Sequence, residues 1–552
     1  MTVYESWLNS PSLDAAQKAE LEGIKNDPKQ IEDRFYKDLE FGTGGLRGIL
    51  GLGTNRMNVF TVRRAAKALG LRLKEEDLQG KKGVAIAHDS RNFSREFACD
   101  SARVLANMGI PVYLFDSLRP TPELSFTIKH LNCAAGIVIT ASHNPKEYNG
   151  FKAYGADGGQ ITPVTASAVF KLMSELDPLT VEMAPADDPL ITIIGKEVDE
   201  AYIEHVLSLR PDKDLLTRTG VKLKIVYTPL HGAGNLLVRE ALRRAGYTDV
   251  TVVKEQELPD GDFPTVASPN PENPEAFTIA IGYADRIGAD VIIGTDPDSD
   301  RMGMMIKIDG VWTPVTGNQA GCLMLEYILR AKQPPEGAYA VTTIVSTRMV
   351  DYIAKAYGIT IERVLTGFKF IGETIDKKEK IGNHGFLLGF EESYGYLTGG
   401  YIRDKDAVIA SLLAAELTAY YKSRGMSLMD AVNDMYARYG FFAEKTVSVT
   451  MPGLDGVKKR EKATRLLREE PPKEVAGRKV IQALDFAKGG VMSLPASDVL
   501  LYTLEGDAWV CVRPSGTEPK LKIYAGVREA SREKAAEAIK QVSEGFTSQI
   551  SV

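Results

Sequence analysis

The feature that most constrains this chain is an element order that starts afresh three times. Each series alternates short apolar runs with helical patterns. The first series holds a helix candidate over Val62–Leu73 and strand candidates at Gly83–His88, Pro111–Phe115 and Gly136–Thr140. The second opens at Lys222–Tyr227 and continues through a helix at Leu236–Ala245 to a strand at Asp290–Gly294. The third opens at Ala338–Val345, with a helix at Val350–Tyr357. Short apolar runs separated by helices predict α/β units around largely buried sheets. From about Tyr439 the texture changes. An alternating run at Lys445–Met451, a charged helical stretch at Val457–Glu470, strands at Ala508–Arg513 and Leu521–Ala525, and a helix from about Arg532 predict an α+β tail. At roughly 150 residues per domain there is room for three or four domains in 552 residues. The expected divisions are 1–214, 215–332, 333–438 and 439–552, with joints at the polar stretch Arg210–Asp214 and at Lys332–Gly337. Ahead of these, Leu13, Ala16, Leu21, Ile31, Phe35 and Leu39 recur at helical spacing, and a Gly-rich loop is expected over Phe41–Gly48.

Composition excludes several classes. Lys and Arg number 67 against 73 Asp and Glu, a net charge of −6, which argues against a nucleic-acid binder. The four cysteines, Cys99, Cys133, Cys322 and Cys511, form no CxxC, so neither a zinc ribbon nor a thioredoxin motif is present and buried free thiols are expected. The first residues have no basic segment followed by an apolar one, and the most apolar stretch, Ala407–Ala415, is too short to span a bilayer. A soluble cytoplasmic protein is expected.

Four polar loops carry candidate chemistry. Thr140-Ala-Ser-His-Asn-Pro follows a buried strand, where α/β folds place ligands, and Asn144-Pro145 would turn the chain so as to expose Ser142. A polar loop that merely caps the strand fits these residues equally well. Lys152 supplies an amine shortly downstream. In Gly294-Thr-Asp-Pro-Asp-Ser-Asp-Arg, the carboxylates Asp296, Asp298 and Asp300 alternate in one tight loop, and their mutual repulsion is relieved by a hard divalent cation such as Mg²⁺ or Ca²⁺. An EF-hand is excluded, because Arg301 and Lys307 stand where Gly and Glu are required. Arg301 suits a site that also holds a phosphoryl group. Gly389-Phe-Glu-Glu-Ser-Tyr-Gly offers Glu391, Glu392 and Ser393 to sugar hydroxyls, or else marks a helix N-terminus. Arg513-Pro-Ser-Gly-Thr-Glu-Pro-Lys joins a bidentate fork to hydroxyls and a potential backbone anion nest, and a phosphate monoester fits it; a plain β-turn is the alternative. No P-loop occurs, and Gly42-Thr-Gly-Gly-Leu-Arg breaks the dinucleotide fingerprint at its last glycine.

Together the loops supply a serine nucleophile, a metal site, a polyol reader and a phosphate clamp, one in each expected domain. This implies phosphoryl transfer through a phosphorylated serine on a phosphosugar. The motifs TASHNP, GTDPDSDR, GFEESYG and RPSGTEPK, in this order, with GTGGLRG, TPLHGAG (Thr228–Gly234) and TGFKFIGE (Thr366–Glu373), resemble those of the α-D-phosphohexomutase superfamily in its phosphoglucomutase/phosphomannomutase branch. The resemblance covers essentially the whole chain. It implies a heart-shaped α/β architecture of four domains, three α/β with mixed sheets and a C-terminal α+β domain similar to the TATA-box-binding protein.

The resemblance also implies roles. Ser142 would be the phosphoserine, and Asp296, Asp298 and Asp300, with a phosphoserine oxygen on Ser142, would hold Mg²⁺. Arg47 and Arg301 would stabilise charge, and His143, Lys152 and Lys369 would handle protons, with the base left open among them. Glu391 and Ser393 would read sugar hydroxyls. Arg513, Ser515, Gly516 and Thr517 would clamp the distal phosphate. The implied enzyme is an intramolecular phosphotransferase interconverting α-D-glucose 1-phosphate and glucose 6-phosphate, with glucose 1,6-bisphosphate as intermediate and activator. The Glu391-Glu392-Ser393 pattern favours glucose. Phosphopentomutase and phosphomannomutase activities stay open, as does a phosphosugar phosphatase or a silent phosphosugar-binding regulator. The expected partner is a small phosphosugar, with no nucleic acid and no membrane, and the chain is expected to be a monomer or dimer.

Overall fold

The computed structural model describes residues 2–42, 45–76, 82–451, 453–514 and 520–550, the side chains of 453–455 and 457 excepted. Its strands form four sheets, one for each unit of a four-domain α/β architecture. The first holds β1 (Gly45–Ile49), β2 (Val84–His88), β3 (Val112–Phe115), β4 (Ala135–Ile139), β5 (Tyr148–Gly155) and β6 (Ile191–Ile194), in the order β1-β5-β4-β2-β3-β6. The second holds β7 (Ile225–Thr228), β8 (Val250–Val252), β9 (Val291–Thr295), β10 (Met302–Ile308) and β11 (Val311–Val315), in the order β11-β10-β9-β7-β8. The third holds β12 (Tyr339–Thr343), β13 (Thr360–Val364), β14 (Phe386–Phe390) and β15 (Tyr396–Leu397), in the order β13-β12-β14-β15.

All three sheets are mixed, and they share one topological device. In the first, the chain leaves β2, forms β3 on one side and then β4 on the other, each parallel to β2. The second repeats this with β7, β8 and β9, and the third with β12, β13 and β14. At such a switch point the loops leaving the two inner strands diverge and open a crevice at their carboxyl ends. The loops after β4, β9 and β14 carry Ser142, the three aspartates and Glu391. The strands read as continuous apolar runs because both faces are covered: β2, β4, β7 and β9 are buried at every residue.

The fourth sheet is wholly antiparallel. It holds β16 (Phe441–Thr450), β17 (Glu474–Val475), β18 (Arg478–Asp485), β19 (Leu500–Leu504), β20 (Ala508–Pro514) and β21 (Lys520–Glu529), in the order β16-β21-β20-β19-β18-β17. The helices Gly453–Glu469 and Arg532–Ile550 accompany it, as the alternating and charged texture of this tail implies.

The apolar stretch Ala407–Ala415 lies in helix Ala407–Lys422, which is buried through Tyr421. A helix apolar on all sides must be covered on all sides. It packs on β9, β10 and helix Gly234–Arg244 of the second unit and on helix Gly317–Ala331, so units two and three share one core. Helix Gly317–Ala331 precedes the expected division at 332 yet packs on β14 of the third sheet. Among the described residues, no helix is long and apolar enough to cross a membrane.

Two local expectations are corrected. The loop expected over Phe41–Gly48 is a strand from Gly45 onward: β1 pairs antiparallel with β5, and a side chain at Gly150 would strike the carbonyl of Leu46. The helix N-terminus allowed for Glu391–Ser393 is absent, because the chain turns there and returns as β15 antiparallel to β14.

Candidate active site

The loop after β4 begins with a backbone that L-residues seldom adopt. Ser142 has φ of +52°, and its N–H is held by Thr140 Oγ1 at 2.8 Å. Its hydroxyl donates to Asp296 Oδ2 at 2.8 Å and stands 3.1 Å from His143 Nδ1. The serine loop and the aspartate loop thus meet at one atom, although 154 residues separate them. Arg47, from β1, reaches the same loop and donates to Asn144 Oδ1 at 3.2 Å.

The aspartate loop after β9 is almost fully enclosed; Asp296, Asp298 and Asp300 are at most 1% exposed. Asp296 Oδ1 accepts the N–H of Asp300 and of Arg301 at 3.1 and 3.0 Å, which folds the loop around that carboxylate. TPLHGAG, read as a supporting stretch, packs under it: Ala233 N–H donates to the Pro297 carbonyl at 2.8 Å, and a Cβ on Gly232 would lie 2.5 Å from Pro297 Cα. The first unit also grips the loop. Thr121, opening helix Thr121–His130, donates its N–H to the Asp298 carbonyl at 2.8 Å and its hydroxyl to Asp298 Oδ2 at 2.9 Å.

The charges around this loop are ordered. Lys152, on β5, stands 2.7 Å from Asp298 and 3.4 Å from Asp300, and Lys405 stands 2.9 Å from Asp300. Burial pushes the Asp296 carboxyl well up, reinforced by Asp298 and Asp300. Burial would raise Asp300 too, but Lys405 and Lys152 outweigh it and hold it low. Burial alone would lower Lys152, yet Asp298 and Asp300 keep it charged. His143 is driven well down by burial, then by Arg301 and Arg47, so its ring is neutral near pH 7. Arg301 is paired with Glu272, lies 3.8 Å from Asp300, and forms a β-bridge with Gly395 of the loop after β14.

That bridge draws the third unit in. Glu391 is buried and accepts the Gly367 N–H at 2.8 Å, so the TGFKFIGE stretch props the loop after β14. Burial raises its carboxyl, against the pull of Lys405 and Arg301. Glu392 faces the other way, toward Thr343 Oγ1 at 3.2 Å and Ser346 Oγ at 3.4 Å. Ser393 is half-buried beside them. Lys369, near the start of helix Phe368–Lys380, is lowered by burial and by the guanidinium of Arg513. Arg513 stands one residue before the end of β20. Ser515, Gly516 and Thr517 lie outside the described residues.

Sequence reasoning missed three contributors. Lys405 sits in an Arg-Asp-Lys-Asp run that reads as a solvated turn. It is buried because Ala407 N–H donates to the Ser299 carbonyl at 3.1 Å and Tyr154 OH donates to Asp404 at 2.8 Å, drawing the segment into the crevice. Thr121 and Arg91 lie near no recognised motif and reveal themselves only through contacts made across the fold.

The donor set suits a hard divalent cation. Oxygens of the three carboxylates lie within 4.8 Å of one another, and the buried Asp298 Oδ1 and Asp300 Oδ1 have no hydrogen-bond partner. Ser142 Oγ adds a fourth oxygen beside Asp296.

Four family models match the chain in order: phosphoglucomutase/phosphomannomutase alpha/beta/alpha domain I over 38–179, domain II over 200–309 and domain III over 316–439, and the C-terminal domain over 465–543. A phosphoglucomutase of Staphylococcus saprophyticus is 36% identical over 509 residues, covering 89% of this chain and 90% of its own. One from Staphylococcus aureus is 36% identical over 513 residues, covering 90% and 91%. Among solved structures, parafusin, a phosphoglucomutase of Paramecium in its open form, superposes with a TM-score of 0.71 at 18% identity, covering 93% of this chain and 96% of its own. A phosphoglucomutase/phosphomannomutase family protein of Burkholderia thailandensis gives 0.68 at 19% identity, covering 92% and 97%.

Proposed function

The chain belongs to the phosphoglucomutase/phosphomannomutase family and is an enzyme of the phosphohexomutase type, and from that premise we propose that it interconverts α-D-glucose 1-phosphate and glucose 6-phosphate through a phosphorylated Ser142. The observation that carries this reading is the 2.8 Å approach of Ser142 Oγ to Asp296, which sets a strand-end hydroxyl against a buried carboxylate cluster. The choice of glucose is supported by the phosphoglucomutases at 36% identity and by Glu391 and Ser393 in the sugar loop.

Asp296, Asp298, Asp300 and an oxygen on Ser142 would hold Mg²⁺. When bound, the cation would supply charge neutralisation at the phosphoryl group. The chain's own residues do the rest. Phospho-Ser142 donates its phosphoryl group to the free hydroxyl of the sugar monophosphate, and the serine oxygen leaves toward the pocket formed with Asp296. The attacking hydroxyl gives its proton to one of His143, Lys152 and Lys369, and a proton returns to the departing serine oxygen, from which the neutral His143 ring stands 3.1 Å. Lys152, held charged, and the guanidinium groups of Arg47 and Arg301 offset the charge spread over the phosphoryl oxygens. Glu391 and Ser393 orient the ring by its hydroxyls, and Arg513 with Ser515, Gly516 and Thr517 grips the phosphate that does not react. Glucose 1,6-bisphosphate then turns end for end, and its other phosphate returns to Ser142.

A substrate panel tests this. Glucose 1-phosphate, mannose 1-phosphate and ribose 1-phosphate are compared by kcat/KM with Mg²⁺ and a trace of glucose 1,6-bisphosphate. A glucose preference supports the reading. A ribose or mannose preference keeps the mutase and overturns the assignment of the sugar loop.

A further inference from the structure

The loop that carries Ser142 pairs its own backbone from Asn144 N–H to the Ala141 carbonyl and from Tyr148 N–H to the Pro145 carbonyl, each at 3.1 Å, and further carbonyls are met from below by a side chain. Arg91, leaving β2 on the far side of the switch point, extends beneath it with a side chain that is 0% exposed. One guanidinium nitrogen donates to the carbonyls of Pro145 at 2.9 Å and Tyr148 at 3.0 Å. The other donates to the carbonyl of Ser142 at 2.6 Å and to that of Asn144. Four of the five N–H groups of one side chain are spent on one loop, and the fifth, on Nε, faces Asp89 at 3.4 Å.

We propose that Arg91 is the positioning residue that aims Ser142 at the carboxylate cluster. This rests on the reading of Ser142 as the phosphoryl carrier. The left-handed backbone at Ser142 is unfavourable for a residue with a Cβ and persists only where its surroundings fix it. Its two peptide neighbours are fixed from opposite sides, the N–H by Thr140 Oγ1 and the carbonyl by Arg91. Between those two anchors the Oγ points to Asp296.

Arg91 is itself fixed. Asp89 Oδ1 accepts the Arg91 N–H at 2.9 Å and the Ser94 hydroxyl at 2.7 Å, which orients the residue at the end of β2. From the second unit, the buried ring of Phe263 lies 5.1 Å from the guanidinium carbon. Ser268 of the same unit donates to the His143 carbonyl at 2.8 Å. The aim of Ser142 is therefore set jointly by the unit that carries it and the unit that carries the aspartates. A lysine could keep the charge, but not the planar fork that reaches four carbonyls.

The test is a rapid-quench single turnover. Enzyme phosphorylated on Ser142, as wild type, Arg91→Lys or Phe263→Leu, is mixed with glucose 1-phosphate and Mg²⁺, and the Ser142 phosphate is followed by mass spectrometry. Arg91→Lys should lose the phosphate to the sugar about 100-fold more slowly, as expected for a misplaced reacting atom, with KM for glucose 1-phosphate unchanged. Amides of residues 141–147 should exchange hydrogen faster in that variant while the remaining strands of the first sheet keep their protection. Phe263→Leu keeps the apolar volume and loses the ring face, so it should slow transfer several-fold and guards against a folding failure of the first variant. Transfer at the wild-type rate in both variants, with any change confined to thermal stability, overturns the positioning role. Failure of the phosphorylated wild type to transfer at all would instead remove the reading of Ser142 on which the proposal rests.

Discussion

Lys405 Nζ lies 2.9 Å from Asp300 Oδ2, and this ion pair ties the segment leading into the central helix to the aspartate loop of another unit. Both side chains are shielded, at 11% and 2% exposure, so the pair is poorly screened by solvent. Removing Lys405 leaves Asp300 only the longer contacts to Lys152 at 3.4 Å and Arg301 at 3.8 Å, at a cost of up to about 3 kcal/mol. Lys405→Met should therefore lower stability by about that amount in urea unfolding with EDTA. In excess Mg²⁺ the loss should shrink, since a cation bound by Asp300 replaces the missing charge. Equal losses in the two buffers would show that Asp300 takes no part in holding metal.

Thr121 makes a second prediction. Its hydroxyl orients Asp298 from another unit at 2.9 Å, and partners of ligating carboxylates commonly matter to metal affinity by ~10-fold or more. Thr121→Val should weaken Mn²⁺ binding about 10-fold, read by electron paramagnetic resonance titration, and Thr121→Ser should restore it. Wild-type affinity in the valine variant would reduce Thr121 to a helix-start residue.

How much of this could be read from the sequence depends on distance along the chain. The strands after which Ser142, the aspartates and Glu391 stand are continuous apolar runs, so their positions were legible, and so were the polar side chains that each loop offers. The switch points that converge these loops are set by strand order, which no local pattern encodes. Lys405 reads as one more charge in a polar run, and it is the hydrogen bonds from Ala407 to Ser299 and from Tyr154 to Asp404 that bring it inside. In the sequence Lys152 is an amine shortly downstream of the Ser142 loop; β5 carries it between β1 and β4 and turns the amine toward Asp298. Arg91 is invisible in sequence because its partners are backbone carbonyls 51 to 57 residues away. The cysteines conform to expectation: all four are free, and Cys133, Cys322 and Cys511 are buried.

Away from the site, Glu416 makes a prediction about pH. It is 0% exposed within helix Ala407–Lys422, with Arg210 at 3.4 Å, and burial lifts its carboxyl from 4.5 to about 7 despite that guanidinium. A carboxyl raised on folding binds its proton more tightly in the native state, so stability falls as pH rises from 4.5 to about 7 and stays low above it. The penalty at pH 8 is on the order of 3 kcal/mol. Glu416→Gln should raise Tm relative to wild type at pH 8, with the difference closing near pH 5. A gap independent of pH would mean that Glu416 is not protonated on folding.

The acidic loop gives a fourth expectation. Asp298→Asn removes a charge that Lys152 meets at 2.7 Å and that would face the cation, so turnover and its dependence on Mg²⁺ should both be largely lost. Retention of both would place the metal elsewhere.

The most direct measurement follows a single phosphoryl group. Enzyme carrying ³²P on Ser142 is mixed with unlabelled glucose 1-phosphate and Mg²⁺ and quenched within one turnover, with Ser142→Ala as the control that accepts no label yet still binds the sugar. The label should leave the protein and appear in glucose 1,6-bisphosphate before it appears in glucose 6-phosphate. Label that stays on the protein while glucose 6-phosphate forms, or that leaves as inorganic phosphate, would contradict a phosphoserine mutase acting through Ser142.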